Sequence, residues 1–233
     1  MAHATFRFCL AATLSGLAAL GTAHAGSVVG KLELPPASAP PASRDPAYLD
    51  RVENPYLPVK TVDPTPLMVV VLDGGPPQTP ATTQVTWDLL GASFAHPLLP
   101  VMAGTEVVIK NRGKATPALY VVEAPDLLAK GPLNPTGTKA LKTKDPGVLT
   151  INDEDSPNLI GRIAVFATGR FAVPDASGAF ELKDVPAGSY TVKVFYRDGW
   201  IERPNETITV DAKGKLDLKN LHIPTGLPLV GSK

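Results

Sequence analysis

From Ile160 onward the chain alternates. Phe180 and Leu182 interleave with Glu181 and Lys183, and Tyr190, Val192, Val194 and Tyr196 interleave with Thr191, Lys193 and Phe195. A period of two predicts strands with one apolar face each. Before them, Asp175-Ala-Ser-Gly178 reads as a tight turn, because Asp and Ser side chains bond back to nearby amides and Gly accepts positive φ without a Cβ clash. Asp184 to Gly188 reads as a second turn, so the two strands are expected to form a hairpin. Ile201, Thr207 to Val210 and, after a Lys213-Gly214 turn, Leu216 to Leu221 continue the series.

Upstream the pattern is less regular but of the same kind. Val28 to Leu34, Gln84 to Leu89 with Trp87, Glu106 to Lys110, Leu119 to Val122 and Val148 to Ile151 all read as strands. Leu67 to Leu72 is almost continuously apolar, which predicts a strand covered on both faces. No stretch sustains an apolar period of 3.6, a short turn at Pro125 to Lys130 excepted. The pattern therefore predicts an all-β chain.

Two segments break it. Residues 35–66 hold nine prolines, and each proline fixes φ and removes a backbone donor, so this stretch reads as an extended connector. The alternative is a docking arm anchored by Tyr48, Tyr56 and Leu57. Residues 124–146 are long and broken by proline and carry Lys130, Lys139, Lys142 and Lys144, which predicts a mobile loop with a solvated basic rim.

The first 25 residues change the picture of compartment. Arg7, the apolar run Phe8 to Leu20 and Ala23-His24-Ala25 have the layout of an export signal, with cleavage expected after Ala25. The run is short of the roughly 20 residues that span a bilayer, and no second apolar stretch follows, so no transmembrane segment is expected after signal removal. Cys9, the one cysteine, lies in this run. The mature chain would then have no disulfide and no thiolate. These features predict a bacterial periplasmic or secreted protein. With 22 basic and 22 acidic residues and no basic stripe, nucleic acid is not an expected partner.

Candidate chemistry is sparse. The sequence has no Gly-x-Ser-x-Gly, His-Glu-x-x-His, phosphate loop or dinucleotide fingerprint, so no enzymatic activity is expected. Beyond the signal the imidazoles are His96 and His222, each read first as a solvent-facing or locally bonded residue. His24 would become a copper-chelating amino terminus only if cleavage followed Ala23. Asn152-Asp-Glu-Asp-Ser-Pro-Asn158 is the densest set of oxygen ligands, read as a solvated acidic loop rather than a hard-cation site. Tyr196, Trp200 and Trp87 are the residues from which an aromatic recognition platform could be built, with core packing as the plainer role.

Phe94, Pro97, Leu99-Pro-Val101, Gly104-Thr105, Val107-Val-Ile-Lys-Asn111, Pro146-Gly-Val148 and the run Asp175 to Tyr190 together resemble periplasmic cupredoxin-like proteins of the methylamine utilization type. From about Gly161 the chain also resembles the carboxypeptidase regulatory-like, transthyretin-type β module. The resemblance implies a Greek-key β-sandwich over 26–157, including the connector 35–66, interleaved with or followed by a second sandwich over 158–233. It also implies copper, held by His, Cys, His and Met. The matching positions are Pro117, Asp153, Ser156 and Leu159, so all four ligands are absent, while soft sulfur and imidazole are what copper requires. No cofactor is therefore expected. The resulting expectation is a non-enzymatic exported binding or accessory protein whose partner is another periplasmic or outer-membrane protein, or a glycan. The alternatives are a copper-binding or electron-transfer protein with atypical ligands, drawing on His96 or His222, and a carbohydrate-binding module.

Overall fold

The run Met68 to Leu72 is buried on both faces in the computed structural model, which describes residues 25–34, 63–79, 84–204, 206–212, 214–224 and 229–230. Met68, Val70 and Leu72 enter one core, and Val69 and Val71 enter another. A strand without a polar face needs a layer on each side, and the whole architecture follows from supplying both.

In chain order the strands are β1 (Ala25–Glu33), β2 (Met68–Gly74), β3 (Gln84–Leu90), β4 (Ser93–Phe94), β5 (Leu98–Met102), β6 (Glu106–Asn111), β7 (Leu119–Val121), β8 (Thr138–Lys142) and β9 (Gly147–Asp153). They continue with β10 (Ile160–Phe166), β11 (Phe171–Ala172), β12 (Ala179–Pro186), β13 (Gly188–Tyr196), β14 (Gly199–Ile201), β15 (Glu206–Val210), β16 (Lys215–His222) and β17 (Leu229–Val230). The helical turns among the described residues are 3-10 segments at Thr65–Leu67 and Pro125–Leu127. The chain is all-β, as its alternation predicted.

Among the described residues four sheets make two sandwiches. A sheet ordered β12-β1-β16 faces one ordered β11-β2-β13-β14-β17, with β15 also paired to β13. Their inner faces share a core that includes Val28, Leu32, Leu72, Phe180, Tyr190, Val192 and Leu221. A sheet ordered β4-β3-β6-β8 faces one ordered β5-β10-β9-β7, around Trp87, Leu89, Ile109, Val121, Ile151 and Ile163. The sandwiches touch through outer faces, where Val69, Val71 and Phe195 meet Leu98, Ala164 and Phe166.

The pairings correct the expected division into 26–157 and 158–233. β10 is antiparallel to β9 and parallel to β5, so the stretch after 158 begins inside the β3–β10 sandwich. β1 pairs with β12 and β16, and β2 pairs with β13 and β11, so these early strands belong with the C-terminal ones. The β3–β10 unit is thus an insertion between β2 and β11, and the interleaved arrangement is the one observed. Residues 1–24, with the expected signal and His24, lie outside the described residues. So does the connector through residue 62, with Tyr48, Tyr56 and Leu57.

The expected hairpin is also corrected. β12 and β13 lie in opposite sheets and pair with β1 and β2. Asp184, at φ 54°, bends the end of β12, and the Tyr190 hydroxyl donates to the Pro186 carbonyl at 2.7 Å, pinning the crossing from one sheet to the other. After this bend β13 runs in the sheet on the far side of the core, paired with β2.

The tight turn at 175–178 forms as read. Gly178 takes φ 83°, and its amide donates to the Asp175 carbonyl. Asp175 Oδ1 accepts from the Ser177 hydroxyl at 2.7 Å, the Ser177 amide at 2.8 Å and the Ala179 amide at 3.0 Å. These bonds, the Ser177 hydroxyl foremost, hold the carboxyl below its ordinary 3.8. Because the folded value lies below the unfolded one, the turn's contribution is complete above about pH 4 and is lost as pH falls through the folded value. Urea titrations should show Asp175→Ala less stable than the native chain at about pH 6, with the difference shrinking toward about pH 2. A difference independent of pH would contradict this account.

Residues 124–146 are far more ordered than their composition suggested. Leu128 and Leu133 enter the β3–β10 core and β8 completes a sheet edge. Lys139 is buried, its ammonium donating to the Gly131 carbonyl, and burial lowers its pKa against the opposing pull of Glu154. It anchors the loop from inside and is no part of a basic rim.

Candidate functional site

Pro117, Asp153, Ser156 and Leu159 fall in one corner of the β3–β10 sandwich. Asn111, buried at the end of β6, sets that corner: its amide nitrogen donates to the Ala115 and Leu133 carbonyls, and its oxygen accepts from the Gly113 amide at 2.8 Å. The Pro117 carbonyl accepts from the Leu133 amide. Asp153 Oδ1 accepts from the Ala118 amide at 2.7 Å, and the Glu154 amide donates to the Ala118 carbonyl. Ser156 accepts from the Leu159 amide, and the Leu159 side chain is buried in the core.

This corner closes itself. Asp153 is committed to a backbone amide, Leu159 fills the interior, and neither Pro117 nor Ser156 offers a soft donor. His96 is exposed and in the chain's loop before β5; its carbonyl, not its ring, is used, accepting from Trp87 Nε1 at 3.0 Å. His222 Nδ1 lies 3.8 Å from Glu33 at the edge of the other sandwich. The two imidazoles are thus held by different sandwiches. Among the described residues no group of three or more His, Cys, Asp or Glu side chains gathers where a metal ion could be held. The described residues do not fit a copper centre.

The aromatic platform separates in the same way. Trp87 is 1% exposed, stacked on Phe94 with centroids 3.9 Å apart. Tyr196 packs on the inner core of the other sandwich. Trp200 is registered opposite Phe195, one residue away from Tyr196 and so on the opposite face of the sheet. Of the three, Trp200 alone reaches a cleft.

That cleft, about 800 Å³, opens where the outer faces of the two sandwiches diverge. Its floor is aromatic. Phe195 and Trp200 meet edge-on at 5.3 Å, and Phe166 lies 5.4 Å from Phe195 and 5.6 Å from Trp200. Contacts of this kind contribute about 0.5–1.5 kcal/mol each beyond area burial, which fixes the floor before any ligand arrives. Asp73 and Asp198 stand on one wall, and Glu123, Thr150 and Arg162 on the other.

The wall charges are unequally engaged. Glu123 accepts from both the amide and the hydroxyl of Thr150 at 2.7 Å. Asp73 pairs with Lys193 at 2.6 Å, and the same ammonium lies 5.7 Å from the centre of the Trp200 ring. Both partners of that pair are substantially exposed, so it contributes under about 1 kcal/mol and chiefly positions the lysine. Arg162 forms none of the ion pairs found among the described residues. Sequence reasoning passed over it, although an arginine at the third place of the otherwise apolar run Ile160 to Phe166 was a readable exception.

No protein-family model and no curated protein sequence matches the chain. Among solved structures it is similar to a purple cupredoxin from Nitrosopumilus maritimus, at 16% identity and TM-score 0.32 over 35% of this chain and 99% of that one. It is also similar to a reduced mutant of amicyanin, at 16% identity and TM-score 0.33 over 42% of this chain and 98% of that one. Likenesses at these scores carry no functional argument. No helix among the described residues is long and apolar enough to cross a membrane.

Proposed function

We propose that the chain is a non-catalytic binding or accessory protein that receives its ligand in the cleft between the two sandwiches. One observation carries this reading: a rigid aromatic floor and an arginine that forms none of the ion pairs among the described residues share a cavity of about 800 Å³, within the size range usual for ligand sites. Affinity would come from desolvating Trp200 and from hydrogen bonds to the walls, with no bond made or broken. The export pattern at the amino terminus supports a periplasmic or secreted setting. In this reading β1, β2 and β11–β17 form the transthyretin-like module, and β3–β10 form the cupredoxin-like one, its copper ligands replaced.

The test is a screen of the full chain against oligosaccharides, peptides and Cu(II), read by thermal midpoint and tryptophan emission. A ligand that binds only the folded state raises the midpoint by mass action. The expected ligand loses its effect in Ala167→Trp, since Ala167 is exposed and lines the cleft, so a large side chain there fills it without removing a bond. A ligand equally effective on that variant would place the site elsewhere. Tight stoichiometric copper, abolished by His96→Ala or His222→Ala, would replace this reading with the copper-handling one.

A further inference from the structure

Resting on the binding reading above, we infer that the cleft takes a neutral saccharide, with one pyranose ring laid on Trp200 and its hydroxyls shared between Arg162 and Asp198. The argument is one of charge and of donor type. Asp73, Asp198 and Glu123 line the cleft together with Arg162, and Lys193 stands over Trp200. An anionic ligand would meet three carboxylates, and a cationic one would meet the guanidinium and the ammonium. Both signs of charge surround the cleft, so a charged ligand of either sign meets like charge beside opposite charge, and a formally neutral ligand is the one that enters without a desolvated like-charge contact.

The walls nevertheless demand strong hydrogen bonding. A guanidinium only donates and a carboxylate only accepts, and a vicinal diol does both from adjacent atoms, satisfying Arg162 and Asp198 at once. Glu123 and Asp73 are already engaged by Thr150 and Lys193, which leaves Arg162 and Asp198 as the charged groups of the cleft without a side-chain partner among the described residues, ready to exchange water for ligand hydroxyls. The floor completes the match. A pyranose presents a face of C–H groups as well as its hydroxyl edge, and an indole fixed by an edge contact with Phe195 and a tilted one with Phe166 is preordered to meet that face. A purely apolar ligand would use the floor and leave the walls unpaired.

The experiment titrates the full chain with neutral gluco-, manno- and xylo-oligosaccharides, and in parallel with an oligogalacturonate, a chitosan oligomer and unrelated peptides, reading calorimetry and tryptophan emission. Trp87 is enclosed in the other sandwich, so emission changes report Trp200. The expected result is a neutral oligosaccharide bound with Kd at or below about 1 mM, weakened at least tenfold by Arg162→Gln and by Asp198→Asn. Trp200→Phe, which keeps an aromatic ring in the floor, should weaken it less. Thermal midpoints near the native value would show that these variants fold.

If a charged oligomer or a peptide binds instead, and the same variants weaken it, the saccharide assignment falls while the cleft reading stands. If a neutral saccharide binds the variants as tightly as the native chain, the cleft reading itself falls. If no neutral member of the panel binds, the inference is overturned.

Discussion

Replacing Trp87 with alanine is expected to cost about 3–5 kcal/mol and to unfold the inserted sandwich first. Trp87 is fully enclosed, lies on the Phe94 ring at 3.9 Å, and donates to the His96 carbonyl at 3.0 Å. It also defines its neighbours. A Cβ placed on Gly161 would sit 2.5 Å from both the Trp87 and the Phe94 ring, so the glycine in β10 is there to let the stacked pair reach the opposite sheet. Truncation would leave a cavity across the middle of the sandwich, and the strands around it cannot collapse far because both sheets are tied by ladder bonds. Against a typical domain stability of about 5–15 kcal/mol, such a loss is a large fraction of the whole. Urea unfolding followed by Trp200 emission and by far-ultraviolet circular dichroism should separate into two transitions, the earlier one belonging to β3–β10. A single transition displaced by less than about 1 kcal/mol would show that the stack is not the centre of that core.

The strands were legible because alternation is a local property, and partners were not because pairing is a long-range one. β2 announced its double burial through five consecutive apolar residues, and Asp175 to Gly178 announced a turn through side chains that bond within four positions. Nothing local distinguishes β1 pairing with β12 from β1 pairing with β3, since both partners show the same alternation. The insertion was invisible for that reason: composition is alike on both sides of Gly74 and of Phe166. The hairpin reading failed at Asp184, where the sequence signals a turn but the pairing of β12 with β1 and of β13 with β2, both remote in sequence, carries the chain across the core.

The candidate site was legible in part. Trp200 was singled out, but grouping it with Tyr196 and Trp87 overlooked the face alternation that separates Tyr196 from Trp200 across a hairpin. Arg162, Asp198 and Glu123 come together only because two sandwiches meet on their outer faces. Pro117, Asp153, Ser156 and Leu159 lie near one another in the β3–β10 sandwich, where the Ala118 amide bond to Asp153 and the core burial of Leu159 give two of them structural roles.

The cleft can hold a shape only if the two sandwiches keep their mutual orientation, and Arg170 is the residue on which that depends. Two connectors join the sandwiches, one leaving after β2 and one returning before β11. Arg170 on the returning connector is buried, donates to the Gly74 and Pro76 carbonyls at 3.0 and 2.7 Å on the leaving one, and lies 5.3 Å over the Tyr190 ring. Gln78 reinforces the tie, its Oε1 accepting from the Thr168 hydroxyl and the Gly169 amide. Arg170→Met keeps much of the volume but orphans two carbonyls, at about 1–3 kcal/mol each, and forfeits a cation–π contact that is strong when desolvated. Relief of burying a guanidinium without a carboxylate offsets part of this, so a net loss of about 3 kcal/mol is expected. The distinguishing effect is on coupling. In the native chain the sandwiches should unfold together. In Arg170→Met they should unfold as two calorimetric transitions, and any cleft ligand should bind more weakly although none of the residues on the cleft walls has changed. Retention of one transition at the native midpoint would mean that the apolar contact among Val69, Phe166 and Phe195 alone sets the orientation.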